Sequence, residues 1–256
     1  MNKRLFIAAG LCLLPLLGWA AGGGPPTYPN DKIDIDWDDK ASMQRGARTF
    51  VNYCMGCHAA AYARYNRVGL DLGISDEQMR ENLIFTNNQA NEKTKVGELM
   101  KINMDTEYAE TAFGTAPPDL SLIARSRGVN WLYNYLRGFY VDEARPLGMN
   151  NSVFSHVGMP HALVELQGLQ RAKKSMRPDG RGGEQEVIVG FEPVKPGSLS
   201  KSEYDQTVYD LVAFLDYLSE PYRQTRHQIG VGVIIFLFFF LILTYFLKKE
   251  FWRDIH

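Results

Sequence analysis

The run Ile229–Leu247 holds nineteen residues without a single charge, including the block Phe236-Leu237-Phe238-Phe239-Phe240-Leu241. As a helix at ~1.5 Å per residue it is roughly 28 Å long, close to the hydrocarbon thickness of a bilayer. Uninterrupted apolar runs of this length are rare in soluble domains, which sets aside a buried core helix. The run therefore predicts one membrane-spanning helix near the C-terminus. Arg226 and His227 precede it and Lys248, Lys249, Glu250 and Arg253 follow, so flanking charge alone orients it weakly.

A second apolar stretch settles the orientation. Lys3 and Arg4 lead into Leu5–Leu17, and Gly18-Trp19-Ala20 then has the small-x-Ala form of a secretory cleavage site. Cleavage after Ala20 removes Cys12 and both cations, taking the formal charge from −1 to −3. The expected organisation is a signal peptide over 1–20, an exported domain over 21–228, a span over 229–247 and a cytoplasmic tail over 248–256. This places the domain in the periplasm, anchored to a bacterial inner membrane. Near-neutral charge gives no sign of nucleic-acid binding.

Within the exported domain a Gly/Pro leader (22–26) and an acidic run (Asp34–Asp39) precede a helix. Ser42 is its expected cap, and Met43, Ala47, Phe50, Val51 and Cys54 form one face. Ser75-Asp76-Glu77-Gln78 and Ser200-Lys201-Ser202-Glu203 are capping boxes that each start a helix. Asn130 is the expected cap of a helix over 131–137. Residues 86–118 and 139–161 lack periodicity and read as long loops. The basic, Gly- and Pro-rich stretch 171–183 reads as a solvated loop, followed by a strand or hairpin arm over 186–194. The last soluble helix buries Val208, Leu211, Val212, Leu215 and Leu218 and stops at Pro221.

Cys54-Met55-Gly56-Cys57-His58 holds both cysteines of the exported chain. A structural zinc site needs two further ligands at suitable spacing, and no second cysteine pair exists. A thioredoxin-type redox pair belongs at a strand-to-helix turn in a βαβ unit, which this sequence lacks. Covalent haem explains all three residues: the thiols form thioethers and the adjacent imidazole ligates the iron. A methionine on the opposite side would close the iron to other ligands and raise its potential. Met159, in Val157-Gly158-Met159-Pro160, stands in a loop where Gly permits close approach and Pro stiffens the chain. Spacing alone does not rank it above Met149, nor exclude His156 or His161.

The order of motifs along the chain resembles the cytochrome c1 family, the haem c subunits of cytochrome bc1 complexes. The resemblance runs through Arg45-Gly46-Ala47, Asn52-Tyr53-Cys54, Ala116-Pro117-Pro118-Asp119-Leu120-Ser121, Gly158-Met159-Pro160, Val194-Lys195-Pro196-Gly197-Ser198-Leu199 and the terminal anchor. It implies an all-α cytochrome c-like domain with long loops and a small β-hairpin insertion, plus one C-terminal transmembrane helix. In that fold the helix ending at Cys54 crosses the helix around Leu211. The resemblance further implies Met159 as the distal ligand and Pro117, Pro118 and Leu120 as a wall of the haem pocket. Arg127 is implied beside the propionates, with Arg125 as its competitor, and Trp131 and Tyr135 as haem neighbours. The implied partners are a cytochrome b subunit, a Rieske iron–sulfur protein as donor, a c-type cytochrome as acceptor and membrane lipid, in a dimeric complex. The chain would then transfer electrons with no bond made or broken on it. The acidic run reads as a solvated surface, with steering of a basic acceptor as the alternative. The competing readings are an independent membrane-anchored monohaem shuttle and a haem enzyme or gas sensor with an open sixth position.

Overall fold

The structure is a computed structural model that describes residues 28–87, 91–102, 104–178 and 182–254. The signal segment 1–20 and the Gly/Pro leader lie outside the described residues. In chain order the elements are α1 (Lys40–Thr49), a π-helical turn (Phe50–Cys54), β1 (Ala60–Arg64), α2 (Tyr65–Leu72), α3 (Asp76–Asn82), β2 (Leu99–Met100), α4 (Thr106–Phe113), α5 (Ile123–Arg127) and α6 (Val129–Arg137). There follow β3 (Phe139–Val141), β4 (Met149–Asn151), α7 (Val164–Gln167), β5 (Gly168–Pro178), β6 (Glu184–Pro196), α8 (Lys201–Ser219) and α9 (Arg223–Phe251).

The domain is built on the crossing of α1 with α8, the pairing that the family resemblance implies. Gly46 permits it, because a Cβ there would fall 2.0 Å from the Asp210 carbonyl oxygen and 2.8 Å from Phe214 Cβ. Phe50 and Phe214 meet beyond it, ring centroids 5.6 Å apart. Asp210 is buried in the seam. Its carboxylate accepts from the Arg45 guanidinium at 2.6 and 2.9 Å, from Ser42 Oγ at 2.6 Å and from Gln206 at 3.0 Å. Ser42 is therefore a core residue and not the helix cap. Asp39 caps α1 instead, accepting the Ser42 N–H at 2.9 Å. At α3 and α8 the capping boxes on Ser75 and Ser200 form as expected.

Five further expectations need correction. Asn130 does not cap α6, which starts from Gly128; its side-chain oxygen accepts the Ile33 N–H at 2.7 Å. The supposed loop 86–118 contains α4, capped by Asp105 and closed by Gly114 in a left-handed conformation. The stretch 139–161 contains the antiparallel pair β3–β4. Among the described residues helix is the commonest regular structure of the domain, but the domain is not all-α, since it carries three two-stranded antiparallel sheets, β1–β2, β3–β4 and β5–β6. The largest, β5–β6, takes up most of the basic stretch read as a loop. Both of its faces are largely solvated, so no apolar alternation marks it, and cross-strand pairs such as Lys173–Glu192 (2.9 Å) and Lys174–Glu186 (2.7 Å) balance its cations.

α8 stops before Pro221, and α9 then runs for 29 residues, longer at both ends than the predicted span. Among the described residues it is the one helix long and apolar enough to cross a membrane, with a stretch of mean hydropathy 2.7 and no buried surface. Its root is clamped to the domain. The Arg223 guanidinium lies 4.9 Å from the centre of the Trp37 ring and pairs with Asp216 at 3.3 Å. Gln224 donates to Asp38 at 2.9 Å, and Arg67 donates to the Tyr222 hydroxyl at 2.7 Å. The acidic run thus serves the chain itself, with Asp38 on Gln224 and Asp39 on the cap of α1.

Candidate haem site

The π-helical turn delivers the Cys-x-x-Cys-His segment to the centre of the domain. Beyond it the N–H groups of Cys57 and His58 both donate to the Cys54 carbonyl, at 3.0 and 2.9 Å. This tight turn gathers both thiols and the imidazole at one cavity of about 430 Å³. Neither cysteine is in a disulfide. Burial, with the neighbouring Cys57 thiol adding to it, pushes the Cys54 thiol up to about 12. A thiol held neutral in this way is unlike the acidic, exposed thiol of a disulfide-exchange pair. Among the described residues no group of three His, Cys, Asp or Glu side chains is placed to hold a metal ion by itself.

His58 is oriented by the Pro-Pro-Asp-Leu-Ser segment. Its Nδ1–H donates to the Pro118 carbonyl at 2.7 Å, which fixes the tautomer and leaves the Nε2 lone pair as the ligating one. Burial lowers the imidazole pKa, against the pull of the Pro118 bond and the Asp119 charge, and so favours this neutral form. The segment is itself pinned to the chain after His58. Asp119 accepts from the Ala61 and Ser121 N–H groups, each at 2.8 Å, and Leu120 N–H donates to the Ala59 carbonyl at 2.8 Å. Asp119 holds this scaffold together, a role that sequence reasoning did not assign although the residue stands inside a quoted motif.

All ten residues singled out from the sequence line this cavity: Cys54, Cys57, His58, Pro117, Pro118, Leu120, Arg127, Trp131, Tyr135 and Met159. Of the rival axial ligands, Met149, His156 and His161 are not among the described lining residues. His161 stacks on Phe139, centroids 4.8 Å apart, with its Nε2 buried and, among the described residues, without a geometrically satisfactory hydrogen-bond partner. Met159 is brought in by Gly158, where a Cβ would lie 2.9 Å from the Phe113 carbonyl oxygen. The Tyr135 hydroxyl donates to Met159 Sδ at 3.3 Å, and burial raises the phenol pKa so that it stays protonated. Trp131 stacks on Tyr135 at 4.8 Å, and the Arg127 guanidinium sits 5.0 Å from the Trp131 ring centre. Arg127 is the only Arg or Lys among the described lining residues. Arg125 is not among the described lining residues; it lies near Glu220, whose pKa is lowered chiefly by the hydrogen bond from Arg226 and in smaller part by the Arg125 charge.

Sequence reasoning missed Phe154, which lines the cavity and also lies under Arg127, because nothing in its loop marks it. Leu211 and Leu215 were legible only as core, yet they too form part of the wall. The donor set fits a covalently held haem. Two free thiols, an imidazole with its second nitrogen committed to a carbonyl, a thioether, apolar walls and a single guanidinium suit a flat apolar ring with two carboxylates.

Comparison with known proteins agrees with this chemistry. The model of the cytochrome c1 family matches residues 32–169 and 195–255, and the unmatched interval falls within the β5–β6 hairpin. A cytochrome c1 of Allochromatium vinosum is 44% identical over 254 residues, covering 99% of this chain and 100% of its own. A Nitrosomonas europaea protein named ammonia monooxygenase gamma subunit is 43% identical, with 100% of both chains covered. A solved chain of a hyperthermophilic respiratory complex III covers 99% of this chain at 15% identity and a TM-score of 0.45, too low to bear on the fold.

Proposed function

The chain belongs to the cytochrome c1 family, whose members carry one covalently bound haem c, and from this premise we propose that it relays electrons within a cytochrome bc1 complex. The donor is the Rieske iron–sulfur protein and the acceptor a c-type cytochrome. The observation that carries the reading is the convergence of Cys54, Cys57, His58 and Met159 on one apolar cavity.

When bound, the haem supplies a one-electron iron couple. Cys54 and Cys57 would hold it through thioethers, and His58 and Met159 would offer its iron a nitrogen and a sulfur ligand. The Pro118 carbonyl strengthens His58 as a donor by accepting its second ring proton. Pro117, Pro118, Leu120, Trp131 and Tyr135 exclude water and keep the surroundings of low polarity, which disfavours the more highly charged oxidised state. Arg127 offers a guanidinium to the propionates.

Residues 1–20 act as a cleaved signal, 21–228 form the periplasmic domain, 229–247 cross the bacterial inner membrane and 248–256 form a cytoplasmic tail. The anchor packs beside the cytochrome b subunit and membrane lipid in a dimeric complex. The test is reduction of haem c in native membranes on addition of ubiquinol, with and without an inhibitor of quinol oxidation. Prompt, inhibitor-sensitive reduction supports the assignment. Reduction by ascorbate but not by ubiquinol overturns it and favours the independent shuttle. The name of the Nitrosomonas relative supports a second reading, a subunit of an ammonia-oxidising assembly. Co-purification with monooxygenase subunits, in place of cytochrome b and a Rieske protein, would establish that reading instead.

A further inference from the structure

We infer that Tyr135 is a positioning residue for the distal ligand, its phenol holding and polarising the Met159 sulfur; this rests on Met159 being that ligand, as proposed above. Tyr135 is buried at the cavity wall, and among the described residues its one hydrogen-bond partner is Met159 Sδ, at 3.3 Å. Two other buried phenols in the domain find stronger acceptors. Tyr204 donates to the Leu136 carbonyl at 2.9 Å and Tyr217 to the Asp71 carboxylate at 2.8 Å. Tyr65 also reaches a methionine, Met55, but has the Thr86 hydroxyl as well. A buried O–H committed to a thioether alone is unusual, because sulfur is a weak acceptor.

The ring is fixed in that position. Trp131 stacks on one face at 4.8 Å with planes 10° apart, and Phe139 packs at 5.3 Å with planes 67° apart. The Tyr135 carbonyl is tied to Asn151 Nδ2 at 2.8 Å, so the backbone is held as well. A thioether sulfur has two lone pairs. With one accepting from the phenol, the other remains for the iron, and the methionine loses rotational freedom it would otherwise keep. The donated hydrogen bond also draws electron density from the sulfur. A poorer sulfur donor stabilises the oxidised iron less, so the phenol raises the reduction potential.

The test is Tyr135→Phe in the haem-loaded protein, which keeps the ring and removes only the hydroxyl. Equilibrium redox titration should show the reduced fraction disfavoured about threefold to tenfold, a fall of roughly 30–60 mV at 59 mV per tenfold for one electron. The methionine-to-iron charge-transfer band should shift but persist. A potential and band equal to those of the unaltered protein would overturn the inference and leave Tyr135 as packing. Lack of the methionine band in the unaltered protein would overturn the ligand assignment itself and this inference with it. Resonance Raman spectroscopy of the unaltered protein covers the case of a variant that does not fold. Exchange of the phenol proton for deuterium should move the iron–sulfur mode, and an unmoved mode would count against the hydrogen bond.

Discussion

Gly46→Ala probes the seam on which the haem segment is carried. The added Cβ would stand 2.0 Å from the Asp210 carbonyl oxygen, 2.7 Å from its carbon and 2.8 Å from Phe214 Cβ, and none of these is the end of a flexible side chain. Overpacking of this kind costs about 1–3 kcal/mol and sometimes more, and rigid backbone neighbours place it at the upper end. Alanine returns only about 1 kcal/mol of helix propensity. Parting the helices also stretches the bonds of Asp210 to Ser42 and Arg45, across which both partners are fixed. A net loss of about 2–3 kcal/mol follows, or roughly 5–10 °C in Tm for a domain near 200 residues. The assay is thermal unfolding by far-ultraviolet circular dichroism on purified, haem-loaded protein, with Gly56→Ala as the control because a Cβ there meets nothing within 4 Å. Gly46→Ala melting at or above the unaltered protein would refute the close-approach argument.

Asp210→Ala removes the buried acceptor for Ser42, Arg45 and Gln206 and should cost about 3 kcal/mol in chemical denaturation. Arg45→Ala should cost less, since half of its side chain is already in water; the reverse order would contradict the burial argument. Burial holds His161 at about 4 in the folded chain against an ordinary 6.5, so the unfolded chain takes up a proton that the folded one refuses. Its stabilising contribution is complete above pH 6.5 and is lost as the pH falls toward 4, by at most about 3 kcal/mol. His161→Phe should flatten the decline in Tm between pH 7 and pH 5, and an unchanged slope would remove His161 as its source. Met159→Leu should let the reduced protein bind carbon monoxide, read as a Soret shift, where the unaltered protein does not. Carbon monoxide binding by the unaltered protein would count against Met159 as the distal ligand.

Local signals served well where a few adjacent residues decide the structure. The Ser75 and Ser200 boxes are self-contained, each side chain serving a backbone group three residues away, and both formed as read. Ser42 was legible only as a lone cap without a box partner, Asp39 lies three residues before it, and the choice between two possible caps was made by Asp210, 168 positions along the chain. Asn130 was likewise claimed by a distant backbone N–H, that of Ile33. The β6 arm was legible over 186–194, but the β5 arm of the hairpin was hidden for a different reason. A ribbon wet on both faces has no inward side, so hydrophobic alternation, the usual mark of a strand, has nothing to report. The haem cavity was legible further than the fold around it. Cys54, Cys57 and His58 were derived from covalent chemistry, whereas Met159, Arg127 and the proline wall came from family resemblance. Phe154 and Asp119 acquire their roles only through the tertiary arrangement.

The clamp at the root of α9 bears on how partners find the cavity. A head on a loose tether would sweep a wide volume and meet its partners in many attitudes. Here the Arg223–Trp37, Gln224–Asp38 and Arg67–Tyr222 contacts fasten the segment before α1, and helix α2, to the root of the anchor. With α9 set in a bilayer, the mouth of the cavity stands at one height and one bearing above the lipid. Under the function proposed above, the stalk then restricts the attitudes in which a partner can reach the cavity, because the contacts at its root hold domain and anchor together.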